Sequence, residues 1–321
     1  MLIAICLGTL LGLGCSDKGS SSAPTGGDTD TSVSDVDVAE SDGDAGQPLP
    51  DVPVADIPAD QAGPDLSTPD VEEEIPSPPP EGSAGCGTGA AAIDTALEVG
   101  GQTRSYEIST PPAYDPNVAT PLIFALHGLG GSGQLAQTYF GLEWSAGPEA
   151  IIVYPDALAL DSFGGQTGWD LSPYGFDFEF FDALYAHLTE HLCVDLDRVF
   201  ATGHSFGGYM SNSLGCYRSE VLDAIAPVAG GPPYYGGCGE PIGVWLTHGS
   251  SDPTVELSEG LSALARWRTT NGCSDETVDT DPSPCVAYKG CARDLHWCEH
   301  TGGHEWPAFA PGAIWDFFAA Q

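Results

Sequence analysis

The stretch Asp197–Cys216, DRVFATGHSFGGYMSNSLGC, decides how the rest of the chain is read. It opens on an apolar, strand-favouring run, Arg198–Thr202, and passes at once into Gly203-His204-Ser205-Phe206-Gly207. A helix-compatible segment, Ser205–Gly215, follows. A G-x-S-x-G pentapeptide between strand and helix makes a sharp turn that lifts the serine hydroxyl above the strand end. The flanking glycines are needed because a side chain there would collide with neighbouring backbone. The helix N-terminus behind the serine favours negative charge developing nearby. Ser205 is therefore the candidate nucleophile.

On both sides of this turn the chain alternates between short β-rich runs and helical ones. Strands are expected at Ser105–Ile108, Pro121–Leu126, Ala150–Tyr154, Arg198–Thr202, Ala224–Val228, Ile242–Thr247 and Leu295–Glu299. In Phe178–Leu192 the residues Phe181, Leu184, Tyr185, Leu188 and Leu192 recur at helical spacing. Further helices are expected at Glu259–Thr269 and Ala313–Ala320. Such alternation implies an α/β fold, a mostly parallel central sheet with helices on both faces.

A serine hydroxyl is a weak nucleophile and needs a base, which in turn needs an orienting acid. After Ser205 the strand Ile242–Thr247 runs into His248-Gly249-Ser250-Ser251-Asp252-Pro253, which puts Asp252 in the loop at a strand's C-terminal end. Glu256 and Asp223 are the alternative acids. His304 follows Gly302-Gly303 in a loop before the final helix and is the candidate base. His204 adjoins the nucleophile in the chain, so its side chain is expected to point away from it. His187 and His191 read as surface or packing residues of a helix, His127 and His248 as loop-shaping residues. His296 and His300 fall in or beside the last strand. The rival grouping of Cys298, His300 and His304 as metal ligands has no clear fourth ligand, so no metal site is expected. The developing oxyanion needs two N–H donors. Phe206 supplies one, and Leu129 the other, from the loop His127-Gly128-Leu129-Gly130-Gly131-Ser132-Gly133. That loop is no phosphate cradle, because no lysine occurs between Lys18 and Lys289.

Composition bounds the partners. The formal net charge is −38, with 8 Lys+Arg against 46 Asp+Glu. Residues 16–85 hold 17 acids, one base, 11 prolines and no aromatic residue, and read as a disordered, extended linker. Nucleic-acid binding is excluded, since so few scattered bases cannot neutralise a phosphate track. Residues 1–15, MLIAICLGTLLGLGC, read as a signal segment too short to span a bilayer, resembling a bacterial lipoprotein signal with Cys15 as the lipidated residue, the alternative being ordinary secretion with cleavage near Cys15. Membrane contact is expected only through that lipid, and the protein is expected at the cell surface or outside the cell. Of ten cysteines, eight lie in residues 86–321, an even set that suggests up to four disulfides of open connectivity.

Residues 86–321 resemble the secreted polyhydroxybutyrate depolymerase and feruloyl esterase group of α/β-hydrolases. The resemblance rests on PLIFALHGLGGSG (Pro121–Gly133), DRVFATGHSFGGYMSNSLGC (Asp197–Cys216), WLTHGSSDPTVEL (Trp245–Leu257), NGC (Asn271–Cys273) and HTGGHEWP (His300–Pro307). It implies an α/β-hydrolase domain with Ser205 as nucleophile, Asp252 as acid and His304 as base, working without a cofactor. The cysteines around Asn271–Cys298 look more like feruloyl esterases. The expected substrate is thus a plant cell-wall ester or a polyester, with acetyl-xylan ester hydrolysis and peptide hydrolysis as alternatives. Trp169, Tyr174 and Trp306 are the expected substrate-contacting aromatics, with Tyr234 and Tyr235 as further candidates, and a monomer is expected.

Overall fold

The computed structural model describes residues 82–88 and 93–321. The expected signal segment, Cys15 and all of the linker before Gly82 lie outside the described residues. The strands are β1 (Ala96–Val99), β2 (Gln102–Ser109), β3 (Thr120–Leu126), β4 (Ile151–Pro155), β5 (Ala159–Leu160), β6 (Gln166–Thr167), β7 (Val194–His204), β8 (Ala224–Val228), β9 (Gly243–Gly249), β10 (Thr277–Asp279), β11 (Cys285–Tyr288) and β12 (Leu295–His300). The α-helices are α1 (Gly133–Phe140), α2 (Leu142–Ser145), α3 (Phe176–His191), α4 (Phe206–Tyr217), α5 (Leu257–Thr270) and α6 (Ala310–Ala319).

Ten of these strands form one sheet in the order β1-β2-β4-β3-β7-β8-β9-β12-β11-β10. Its centre, from β4 to β12, is parallel, and antiparallel strands close both margins. The central strands β3, β4, β8 and β9 are buried along their whole length. Continuous apolar runs suit that position, because a parallel sheet is covered on both faces. Alternation sorts each strand between two cores. In β3, Leu122, Phe124 and Leu126 pack toward α3, α4 and α5, whereas Ile123 and Ala125 pack toward α1, α2 and α6. Phe200 of β7 stacks on Phe318 of α6 with ring centroids 4.5 Å apart. All seven expected strands and four expected helices are present, shifted by a few residues at their ends.

The differences are local. Helix α1 follows directly on the glycine-rich loop and has only two turns, so its apolar residues make no long periodic pattern. Ser132 caps it by accepting a hydrogen bond from the Leu135 N–H. Between β4 and α3 the chain also forms the small β5–β6 hairpin and a 3-10 turn at Asp161–Phe163. β1 and β10 are half-exposed or exposed strands, whose polar sequences lack a buried face to betray them.

All eight cysteines of the domain are oxidised, as Cys86–Cys193, Cys216–Cys238, Cys273–Cys291 and Cys285–Cys298. Four disulfides belong to an oxidising compartment. The last one joins β11 to β12 across directly paired residues. Cys86–Cys193 closes a sequence separation of 107 residues. It anchors the segment 82–88 to the start of β7, where Ser83 also donates to Leu192 O at 2.5 Å and accepts from the Val194 N–H at 2.9 Å. A Cys86→Ser/Cys193→Ser double variant should lose about 4–5 kcal/mol of stability, from the length of the loop it frees. Urea denaturation checks this, and an unchanged midpoint would show that the segment is held by its hydrogen bonds alone.

Candidate active site

Because the central strands are parallel, their C-terminal ends share one edge of the sheet, and the candidate residues come from four of them. Leu129 follows β3, Ser205 follows β7, Asp252 follows β9 and His304 follows β12. Ser205 takes φ 59° and ψ −118°, a conformation that L-residues avoid at a cost of about 1–3 kcal/mol. Its N–H donates to Val228 O on β8 at 2.9 Å, which fixes the turn against the next strand. Gly207 faces the Leu126 carbonyl and Gly203 faces the Gly207 backbone, so closely that a Cβ at either would strike main-chain atoms. This is the physical content of the two flanking glycines.

His304 Nε2 lies 2.8 Å from Ser205 Oγ, and His304 Nδ1 lies 2.7 Å from Asp252 Oδ2. A carboxylate only accepts, so Nδ1 carries the proton and Nε2 accepts from the serine hydroxyl. The Asp252 side chain is fully buried, and its Oδ1 accepts from the N–H groups of Thr254 (2.8 Å) and Val255 (2.9 Å). Burial works against the charge on Asp252. Hydrogen bonds from His304, Val255 and Thr254 outweigh it and hold the carboxyl below its ordinary range. The alternative acids are elsewhere: Glu256 sits at the start of α5, and Asp223 pairs with Arg293 at 2.6 Å before β8, at the opposite end of that strand. Cys298 is in a disulfide, so the rival metal grouping loses a ligand.

The glycine-rich loop is pinned at both ends. Gly130 N–H donates to Thr167 O at 2.8 Å and Gly131 N–H to Gly128 O at 3.0 Å. His127 Nε2 accepts from the Ala157 N–H at 3.0 Å, so its Nδ1–H donates to Gly128 O at 2.7 Å, the loop-shaping role expected of it. Gly128 sits against the nucleophile: a Cβ there would lie 3.4 Å from Ser205 Cβ. Among the described residues, neither the Leu129 nor the Phe206 N–H has a protein acceptor, which leaves both open to an oxygen. Chemically, this is a neutral imidazole able to take a hydroxyl proton, a fixed carboxylate behind it and two uncommitted N–H groups nearby.

The expected aromatic wall is corrected. Trp169 is only 3% exposed, and its indole N–H donates to His127 O at 2.8 Å, so it supports the loop from beneath. Trp306 is 8% exposed and stacks on Phe140 at 4.1 Å, which makes it part of the core. Tyr174 is 92% exposed. Tyr234 and Tyr235 are half-exposed and pack edge-to-face on each other at 4.9 Å. The sequence reading passed over Tyr139, whose hydroxyl accepts from the Trp306 N–H at 2.9 Å. It also understated His204, whose ring lies 4.9 Å from that of His304. The signal for Tyr139 was its place one turn after Leu135 in an apolar segment next to the glycine-rich loop.

Burial, followed by the nearby His304, pushes His204 down to about 4. Between an ordinary histidine value of about 6.5 and about 4 the unfolded chain binds a proton that the folded one refuses. Stability is therefore lost as pH falls through that window. Melting temperatures measured from pH 7 to 4 should fall less steeply in His204→Gln. His127, His296 and His300, shifted down chiefly by burial, remain in both proteins. Parallel curves would show that His204 protonates alike in both states.

No family model matches the chain. It is 32% identical over 258 residues to a probable feruloyl esterase C of Aspergillus niger, a match covering 74% of this chain and 91% of that protein. It is 31% identical to feruloyl esterase C of Emericella nidulans, with 74% and 91% covered. Feruloyl esterase D of Neurospora crassa is 31% identical, with 74% and 90% covered. Among solved structures, an acetyl xylan esterase from Aspergillus awamori matches with a TM-score of 0.57 at 15% identity, covering 68% of this chain and 94% of its own. A ferulic acid esterase matches with a TM-score of 0.51 at 15% identity, covering 69% and 93%. The structural matches establish the shared α/β-hydrolase fold, and the sequence matches establish kinship. The chain belongs to the feruloyl esterases, carboxylic ester hydrolases of the α/β-hydrolase fold.

Proposed function

We propose that residues 86–321 hydrolyse feruloyl-type esters of plant cell-wall material through an acyl-enzyme on Ser205. The observation that carries the mechanism is the unbroken hydrogen-bonded chain from Ser205 Oγ through His304 to the buried Asp252, at 2.8 and 2.7 Å. His304 takes the hydroxyl proton as Ser205 Oγ attacks the ester carbonyl carbon. The resulting oxyanion accepts from the N–H groups of Leu129 and Phe206, each such donor being worth about 3–4 kcal/mol of barrier. His304 then gives the proton to the departing alcohol, and the C–O bond breaks. Water enters, loses its proton to the same imidazole and attacks the acyl carbonyl; the imidazolium then returns that proton to Ser205 Oγ as the acyl C–Oγ bond breaks and the carboxylic acid leaves. Asp252 keeps the imidazole in the working tautomer and stabilises the imidazolium. Each step is a proton transfer or an acyl transfer, so the cycle calls on no metal or organic cofactor.

The substrate reading is supported by the feruloyl esterases among the relatives. On this reading the domain works as a monomer outside the cell, in keeping with its four disulfides. Cys15 is the candidate lipid attachment, and residues 16–85 serve as the spacer between lipid and enzyme.

Ser205→Ala should lower ester hydrolysis by about 10⁴-fold or more while leaving the fold intact. Asp252→Asn should cost about 10⁴-fold in kcat, because the amide favours the wrong imidazole tautomer. The panel is methyl ferulate, a 3-hydroxybutyrate oligomer, acetylated xylan and a peptide amide, with a short p-nitrophenyl ester as a general probe. Methyl ferulate cleavage that Ser205→Ala abolishes is the expected result. Cleavage of only the oligomer, the xylan or the peptide replaces the substrate reading and keeps the mechanism. Near-normal activity in Ser205→Ala overturns the mechanism.

A further inference from the structure

Helix α1 ties together the two sides of the site, and part of the tie is open to solvent. The helix begins where the glycine-rich loop ends and finishes at Tyr139 and Phe140. Both residues hold Trp306: the Tyr139 hydroxyl accepts from its N–H at 2.9 Å, and Phe140 stacks on its ring at 4.1 Å. Trp306 stands two residues after His304, so this contact fixes the loop that carries the base. Yet the Tyr139 residue is 51% exposed, with its ring 5.7 Å from that of His204.

A groove of about 560 Å³ runs beside it, lined among others by Gly128, Leu129, Leu135, Tyr139 and His204. That volume falls in the range of small-ligand pockets. Gly128 of its lining lies against Ser205. Leu129 and Leu135 present apolar surface to it, both more than a third exposed. His204 stays neutral at physiological pH, so it adds no charge. Of the polar side chains in the lining, His127 is bonded to Gly128 O and the Ala157 N–H and the Thr138 hydroxyl donates to Gln134 O, so the leucines and the Tyr139 ring suit a planar, apolar acyl group better than a sugar.

We propose that Tyr139 is a specificity-determining residue: its ring forms one wall of the acyl groove and stacks on an aromatic acyl group, while its hydroxyl positions the base's loop. This rests on the esterase reading above. The two roles separate kinetically. The ring acts on binding of aromatic acyl groups and so on KM, whereas the hydroxyl acts on the alignment of His304 and so on kcat for every ester.

The experiment is steady-state kinetics of wild type, Tyr139→Phe and Tyr139→Leu on methyl ferulate, p-nitrophenyl acetate and a feruloylated arabinose oligosaccharide. Tyr139→Leu should raise KM for methyl ferulate about tenfold and leave KM for the acetate within about twofold. Tyr139→Phe should keep KM for methyl ferulate and lower kcat several-fold on both esters. A KM that rises equally for ferulate and acetate in Tyr139→Leu, or for neither, overturns the acyl contact. A penalty seen with the arabinose-linked substrate but not with methyl ferulate puts the sugar in the groove and also overturns it. Wild-type activity on the acetate without activity on methyl ferulate overturns the feruloyl reading, and the proposal with it. Leu135→Ala, on the same groove, carries the test if Tyr139→Leu does not fold.

Discussion

The strained turn at Ser205 is the constraint to which the rest of the domain answers. A non-glycine residue held at positive φ relaxes unless its surroundings leave it nowhere to go. Here the surroundings are backbone. Gly207 rests on the Leu126 carbonyl of β3, Gly208 on Val228 O of β8, and the Ser205 N–H is committed to the same Val228 oxygen. α4 can approach this closely only because its sheet-facing side carries glycine where a larger residue would push it away. The strain is therefore maintained by the two strands flanking β7. Those strands are in turn held by apolar side chains on both faces of the sheet, including β3 and β8, which are buried from end to end.

The acid and base are tied to their strands by a different means. Asp252 keeps its charge in a buried position because three donors converge on it, two of them main-chain N–H groups of its own loop. A loop that bonds to its own carboxylate is a rigid mount, and it sets the imidazole from behind. The Cys285–Cys298 bridge and the Trp306 packing do for the His304 side what the Thr254 and Val255 amides do for Asp252. Both keep a loop residue in one place without burying the loop.

The grouping of Ser205, Asp252 and His304 was legible in the sequence because it depends on residue types at fixed local positions. Gly203 to Gly207 after a strand, Asp252 after another and His304 after a glycine pair each announce themselves within a few residues, as do the main buried strands. What escaped was long-range or short-patterned. Trp169 and Trp306 looked like substrate walls because an aromatic in a loop near a site has the same sequence signature whether it points out or in. Only their burial, with the Trp169 indole bonded to His127 O and the Trp306 ring stacked on Phe140, decides the matter. α1 escaped because two helical turns after a glycine-rich run give too few periodic residues to count. The disulfide pairing was undecidable from spacing, since eight cysteines admit 105 connectivities and only the sheet register brings Cys285 opposite Cys298.

Strand order also sets when the protein becomes competent. Ser205 and His304 are 99 residues apart in sequence, and β12, which leads to His304, pairs in parallel with β9. Parallel pairing between separated segments is slow, since loop closure must precede any gain. A nascent or C-terminally shortened chain thus holds a serine with no partner to take its proton. On the proposed mechanism, then, the order of the strands along the chain also orders the assembly of the site, with the imidazole the last of its three side chains to be made.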